Sequence, residues 1–293
     1  MPFMYKRTIL ITGSLSGVGK QTAINLLINS NSNHVIIHGD TKEHCEKLIT
    51  AIVETNETVC RENIEYIAAD FSDLNKVVLM VDEVKTRFPR LNVIICCENV
   101  MSQRQIITKN HLELTFQVNH LAHFYLINQL LPILKQNSPS KIILAGSMLH
   151  SLNRLDLEDM QCEKNYDKYM QFSRTMLMNH MMMLHLYHMM NENDDESINI
   201  NIVDASPTLE KTAIKRNGKL SLSDSTLSNI EGKENKSIAG LLEAGVFDKV
   251  SGRFFDMNGK QLKSSVEASD VRNQKVLWNY SDNMCKKVFE HLT

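Results

Sequence analysis

The stretch Thr8-Ile9-Leu10-Ile11-Thr12-Gly13-Ser14-Leu15-Ser16-Gly17-Val18-Gly19-Lys20 decides the fold. Thr8 and the three apolar residues after it read as a short buried strand, and the pattern after Gly17 reads as a helix over 18–29. Glycines at 13, 17 and 19 let the backbone turn tightly between the two and approach a bound group closely. The first turn of the helix then faces that point with its unpaired N–H groups, which suits the phosphates of a dinucleotide. A glycine turn needed only for packing would look the same in sequence.

Working outward, strands at 34–37, 64–68, 93–97, 141–145 and 198–203 alternate with helical patterns at 41–55, 73–88, 110–135 and 165–190. Short, continuously apolar strands separated by helices imply a parallel sheet covered on both faces. The expected class is α/β, a single doubly wound parallel sheet of Rossmann type. From 214 to 237 the chain turns polar, and helix (237–247) and strand (252–257) signals follow, so the segment at 208–237 reads as a lid within one domain.

Composition narrows the function. The chain has 293 residues, 32 Lys+Arg against 34 Asp+Glu, and a net charge of −2, so there is no basic field for nucleic acid. No apolar run approaches the roughly 18 residues of a membrane span. Six cysteines without a C-x-x-C pair read as reduced thiols of a cytoplasmic protein, and no metal site is expected.

The end of the second strand should read the adenosine ribose. Asp40 lies 21 residues beyond Gly19, where a carboxylate would bond a 2′-hydroxyl and repel a 2′-phosphate. A solvated turn aspartate fits the position equally well. Asp70, followed by Phe71, would accept from an adenine amino group or cap the helix starting near Asp73.

At this point the residues resemble the short-chain dehydrogenase/reductase family and, within it, the retinol dehydrogenase-like branch. The resemblance is carried by Thr12–Gly19, Phe116-Gln117-Val118-Asn119-His120-Leu121-Ala122-His123-Phe124-Tyr125-Leu126, Ser147–His150 and Leu177-Met178-Asn179. It continues through Pro207 with Thr212, Ser251-Gly252-Arg253-Phe254-Phe255 and Leu277-Trp278, so that 1–293 reads as one such domain. It implies NAD or NADP as cofactor, held by Gly13, Ser14, Ser16, Gly17, Val18, Gly19, Asp40, Asp70, Phe71, Cys97 and Pro207. It also implies a Tyr-x-x-x-Lys pair, a Ser and an Asn acting on an alcohol or carbonyl: the tyrosine gives a proton, the lysine lowers its pKa and grips the nicotinamide ribose, and the asparagine holds a water chain to the lysine.

Ser147 and Asn119 are retained, but aligning Leu177-Met178-Asn179 puts Phe172 at the tyrosine position and Met176 at the lysine position. Tyr169 stands one helical turn earlier, with Ser173 four residues on. Cys96-Cys97-Glu98-Asn99 replaces the family's Asn-Asn-Ala-Gly, and an asparagine is a poor fit where φ must be positive. Eight of the 16 methionines fall between 170 and 190. They line either the core or a homodimer interface, since the two long helices commonly pair with a second subunit in this family, and the sequence favours the dimer. The expected function is a dinucleotide-binding, catalytically impaired relative. The alternatives are an active oxidoreductase on a carbonyl, alcohol or retinoid-like substrate using nonstandard acids, and a structural subunit that has lost the cofactor.

Overall fold

A computed structural model describes residues 6–205 and 237–290. Pro207, Thr212 and nearly all of the lid expected at 208–237 lie outside the described residues. The sheet has eight strands in the order β3-β2-β1-β4-β5-β6-β7-β8. They are β1 (Arg7–Ile11), β2 (Asn33–Gly39), β3 (Ile64–Ala68), β4 (Val93–Cys96), β5 (Ser140–Gly146), β6 (Ile198–Asp204), β7 (Arg253–Phe255) and β8 (Gln261–Leu262). The first seven are parallel and β8 pairs antiparallel with β7. The strand order reverses between β1 and β4, which opens a crevice at their C-terminal ends, where the glycine loop sits.

Helices α1 (Gly17–Asn29), α2 (Lys42–Thr55) and α3 (Leu74–Arg87) follow the first three strands. The fourth, α4, begins at Leu114 rather than near 110; it passes through a π-helical turn at Gln117–Leu121 and continues over Ala122–Gln136. Then come α5 (Lys168–Asn191), a short α6 (Ile238–Glu243) and α7 (Val271–Glu290). The helix expected at 237–247 therefore ends early, and α7 was not read from the sequence as a helix. No helix among the described residues is long and apolar enough to cross a membrane.

The methionine run is settled by packing. Met178, Met181, Met182 and Met183 are buried within one chain, in the cluster that includes Leu277, Cys285 and the partly buried Trp278, and Met176 is buried as well. Helix α7 packs on both α4 and α5. The second apolar face of α5 is thus covered by the chain's own C-terminal helix, and the methionines do not call for a second subunit.

Candidate active site

The glycine loop closes on the ends of β4 and β2. Gly13 has φ +66° and Gly17 φ +55°, both in the left-handed region. A Cβ at Gly13 would lie 2.7 Å from the Glu98 backbone, and one at Gly19 would lie 2.4 Å from the Gly13 carbonyl oxygen. Ser14 is fully buried; its hydroxyl donates to the Ile11 carbonyl and accepts from the His38 N–H. Ser16 is the N-cap of α1 without capping it through its side chain, and Val18 is buried in the first turn. The first-turn N–H groups therefore remain aimed at the crevice, an arrangement that fits a pyrophosphate.

Beneath the loop lies a buried polar network that the sequence reading missed. Thr12 Oγ1 accepts from the N–H groups of Cys97 (2.9 Å) and Glu98 (3.2 Å). Its proton is left to donate to His123 Nε2 at 2.9 Å, and His123 Nδ1–H donates to the Asn119 carbonyl at 3.1 Å. His38 Nε2–H donates to the Ala69 carbonyl, and its Nδ1 accepts from the Gly13 N–H at 3.1 Å. Phe71 is wedged between the two rings, 4.5 Å from His38 and 5.3 Å from His123. The one sequence signal was His123, four residues and one helical turn after Asn119; nothing marked His38.

Asp70 accepts from the Ser72 N–H, and the cap of α3 is Asp73 itself, which accepts from Asn75. The capping role weighed for Asp70 therefore belongs to Asp73. Asp40 directly follows β2 and accepts from His44 Nδ1–H at 2.8 Å. Cys97 is buried, and burial pushes its thiol pKa well up, as an inert filler requires. Asn99 does not carry the positive φ expected from the family's glycine; among described residues only His111, Cys162 and Asp194 do so without being glycine. The strand exit takes an ordinary backbone conformation, so the asparagine is unstrained.

Asn119 sits inside the π-helical turn with every polar atom engaged. Its Oδ1 accepts from the Val100 N–H (2.7 Å), and its Nδ2 donates to the Val100 carbonyl (2.9 Å) and Thr175 Oγ1 (3.0 Å). Its carbonyl, already bonded by His123, also accepts from Asn179 Nδ2 at 2.7 Å. His120 Nδ1–H donates in turn to Asn179 Oδ1 at 3.0 Å. Burial drives the pKa of both His120 and His123 down to about 4, so both rings are neutral at pH 7.

Ser147 caps the short turn Met148–Ser151, where its Oγ accepts from the Leu149 N–H. The Ser147 carbonyl accepts from both His150 N–H and His150 Nδ1–H, and His150 Nε2 accepts from the Ser265 N–H. His150 stacks on His180 with ring centroids 4.1 Å apart. Both histidines near the candidate serine are packed residues. On α5, Phe172 is 4% exposed and Met176 1%, whereas Tyr169 is 63% exposed, with the Lys168 ammonium over its ring. Arg174 reaches away to Asp156 and the Asp159 carbonyl.

This architecture is shared with known proteins. Residues 7–155 match the model of the short chain dehydrogenase family. The chain belongs to the short-chain dehydrogenase family. Within it the relatives are retinol dehydrogenase-like: retinol dehydrogenase 14 of Mus musculus is 28% identical over 301 residues, covering 96% of this chain and 86% of its own. Polyprenol dehydrogenase of Danio rerio is 25% identical over 96% of this chain and 87% of its own. Among solved structures, an uncharacterised protein from Mycobacterium Paratuberculosis superposes with a TM-score of 0.71 at 21% identity, covering 98% of this chain and 96% of its own. A short chain dehydrogenase from Escherichia coli CFT073 complexed with NADPH superposes with a TM-score of 0.58 at 15% identity, covering 87% and 98%. These two likenesses concern the fold. Set against the family, the whole sequence contains no tyrosine followed four residues later by lysine.

The buried neutral histidines predict acid lability. A folded-state pKa of about 4 lies below the ordinary 6.5, so the unfolded chain takes up protons first as pH falls. Stability is full above about pH 6.5 and drains away between there and pH 4, by roughly 3 kcal/mol for each of His120 and His123. Urea midpoints measured at pH 7.5, 6 and 5 should fall in that order. Midpoints that stay level from pH 7.5 to 5 would mean these rings charge freely in the folded protein.

Proposed function

We propose that the chain is a dinucleotide-binding, catalytically impaired short-chain dehydrogenase of cytoplasmic setting. The observation that carries the reading is the pair Phe172 and Met176, buried on α5 where the family resemblance places the proton-donating tyrosine and the lysine. A bound nicotinamide supplies or accepts a hydride. The glycine loop and the first turn of α1 hold its pyrophosphate, Asp40 meets the adenosine ribose, and Asp70 with Phe71 borders the adenine. Ser147 offers a hydroxyl to a carbonyl or alcohol ligand, but Phe172 has no proton to move and Met176 no charge. The exposed Tyr169, the locked His150 and the outward Arg174 are poorly disposed to replace them. Asn119, with its side chain and carbonyl bonded to protein groups, has little capacity left to order a water chain.

The six cysteines are free, and five of them are buried, which agrees with a reducing compartment. The homodimer rests on the family resemblance alone once the methionines are assigned to the core. The test of the reading is ligand-linked stability. Binding only to the folded state should raise the melting temperature with millimolar NADH or NADPH, by about 2.7 kcal/mol of stability at a hundred times Kd. A melting curve and Trp278 fluorescence unmoved by either dinucleotide would favour a structural subunit instead.

A further inference from the structure

We infer that His44 is a positioning residue for cofactor discrimination: it clamps the Asp40 carboxylate at the mouth of the glycine loop, so that the site selects a 2′-hydroxyl over a 2′-phosphate. The inference rests on the dinucleotide reading above. Strand β2 ends on a glycine packed under the loop residue Leu15. A Cβ at Gly39 would lie 2.5 Å from Leu15 Cδ1 and 2.9 Å from Cys45 Sγ, so Leu15 packs directly over the strand end. Asp40 is the next residue after this packed strand end.

Helix α2 begins immediately afterwards. Thr41 caps it, its Oγ1 accepting from the His44 N–H at 3.3 Å and its carbonyl from the Cys45 N–H. This fixes His44 in the first turn, one helical turn from Asp40, with its ring folded back. A carboxylate only accepts, so Nδ1 carries the proton and donates at 2.8 Å. Both side chains are about three-quarters buried, at 25% and 23% exposure. The clamp occupies Oδ1 and fixes the carboxylate rotamer, which leaves Oδ2 to accept from a ribose hydroxyl. The neighbouring cations of α2 are committed along the helix, Lys42 to Glu46 and Lys47 to Glu43. A 2′-phosphate would meet the fixed negative charge of Asp40 while these lysines are already paired.

The test is fluorescence titration of NADH and NADPH into the wild type, Asp40→Ala, His44→Ala, His44→Gln and the Asp40→Ala/His44→Ala double variant, with melting curves to verify folding. The wild type should prefer NADH, and His44→Ala should lower that preference about three- to tenfold, as loss of one ordinary, partly exposed hydrogen bond predicts. His44→Gln, which keeps an N–H donor, should retain most of it. The double variant should match Asp40→Ala, since His44 acts only through Asp40. An unchanged NADH/NADPH ratio in His44→Ala, or equal weakening of both ligands, would overturn the clamp and leave dinucleotide binding standing. A wild type that binds neither would overturn the dinucleotide reading and the clamp with it.

Discussion

Wild-type protein supplied with NADH or NADPH and an aldehyde, ketone or retinoid is expected to turn over at least about 10²-fold more slowly than a typical enzyme, because general acid catalysis contributes roughly 10²–10⁴-fold. Phe172 lacks the proton and Met176 lacks the charge that would lower a neighbour's pKa. The tyrosine one turn away, Tyr169, is on the surface. Phe172→Tyr with Met176→Lys should raise turnover, and either change alone should raise it less, since acid and cation act as a unit. Met176 is 1% exposed, so a lysine there also costs stability. Burying an ammonium without a partner costs several kcal/mol, so Met176→Lys should melt well below the wild type. Initial rates and melting curves on the four proteins read both effects together. Wild-type turnover at about 1 s⁻¹ or faster would refute the impaired reading, and Tyr169→Phe would then be the next variant to measure.

Thr12→Val is expected to be among the most damaging isosteric changes in the protein, although it removes one oxygen and no volume. That oxygen accepts from Cys97 N–H and Glu98 N–H and donates to His123 Nε2, and Thr12, Cys97 and His123 are all buried. Valine takes this partner from the buried Cys97 N–H and His123 Nε2, and from Glu98 N–H. Each buried group left without a hydrogen bond costs about 1–3 kcal/mol, so the sum lies near 3–5 kcal/mol after local relaxation. Chemical denaturation should show a lower midpoint with an unchanged slope. Dinucleotide-linked stabilisation should fall as well, because the same hydroxyl ties the glycine loop to the end of β4. Thr12→Ser, which keeps the hydroxyl, should lie much closer to the wild type. A Thr12→Val protein within about 1 kcal/mol of wild type would mean that water replaces the hydroxyl in this network.

The doubly wound class was legible because its signals are local. The strands β1, β2, β4 and β5 are each built on a short run of apolar residues, and the glycines at 13 and 17 announce a left-handed turn that the structure places at φ +66° and +55°. The absence of a Tyr-x-x-x-Lys pair is likewise a property of the sequence alone, fixed by covalent spacing. Two smaller features were within reach and passed over: the i, i+4 pairs Asp40–His44, across the start of α2, and Asn119–His123, one turn apart on α4. Other questions depended on which surfaces meet. Whether the methionines of α5 face a second subunit or the core was decided by α7, which covers them from nearly a hundred residues away in sequence. That α7 forms this cover depends on long-range packing, which no local pattern encodes. The same holds for His38 and His123, whose roles exist only because the ends of β2, β3 and β4 converge under Thr12 and Gly13. A polar side chain shows its type in the sequence, but its partner, and so its pKa and its cost if removed, is set by which strands the tertiary structure brings side by side.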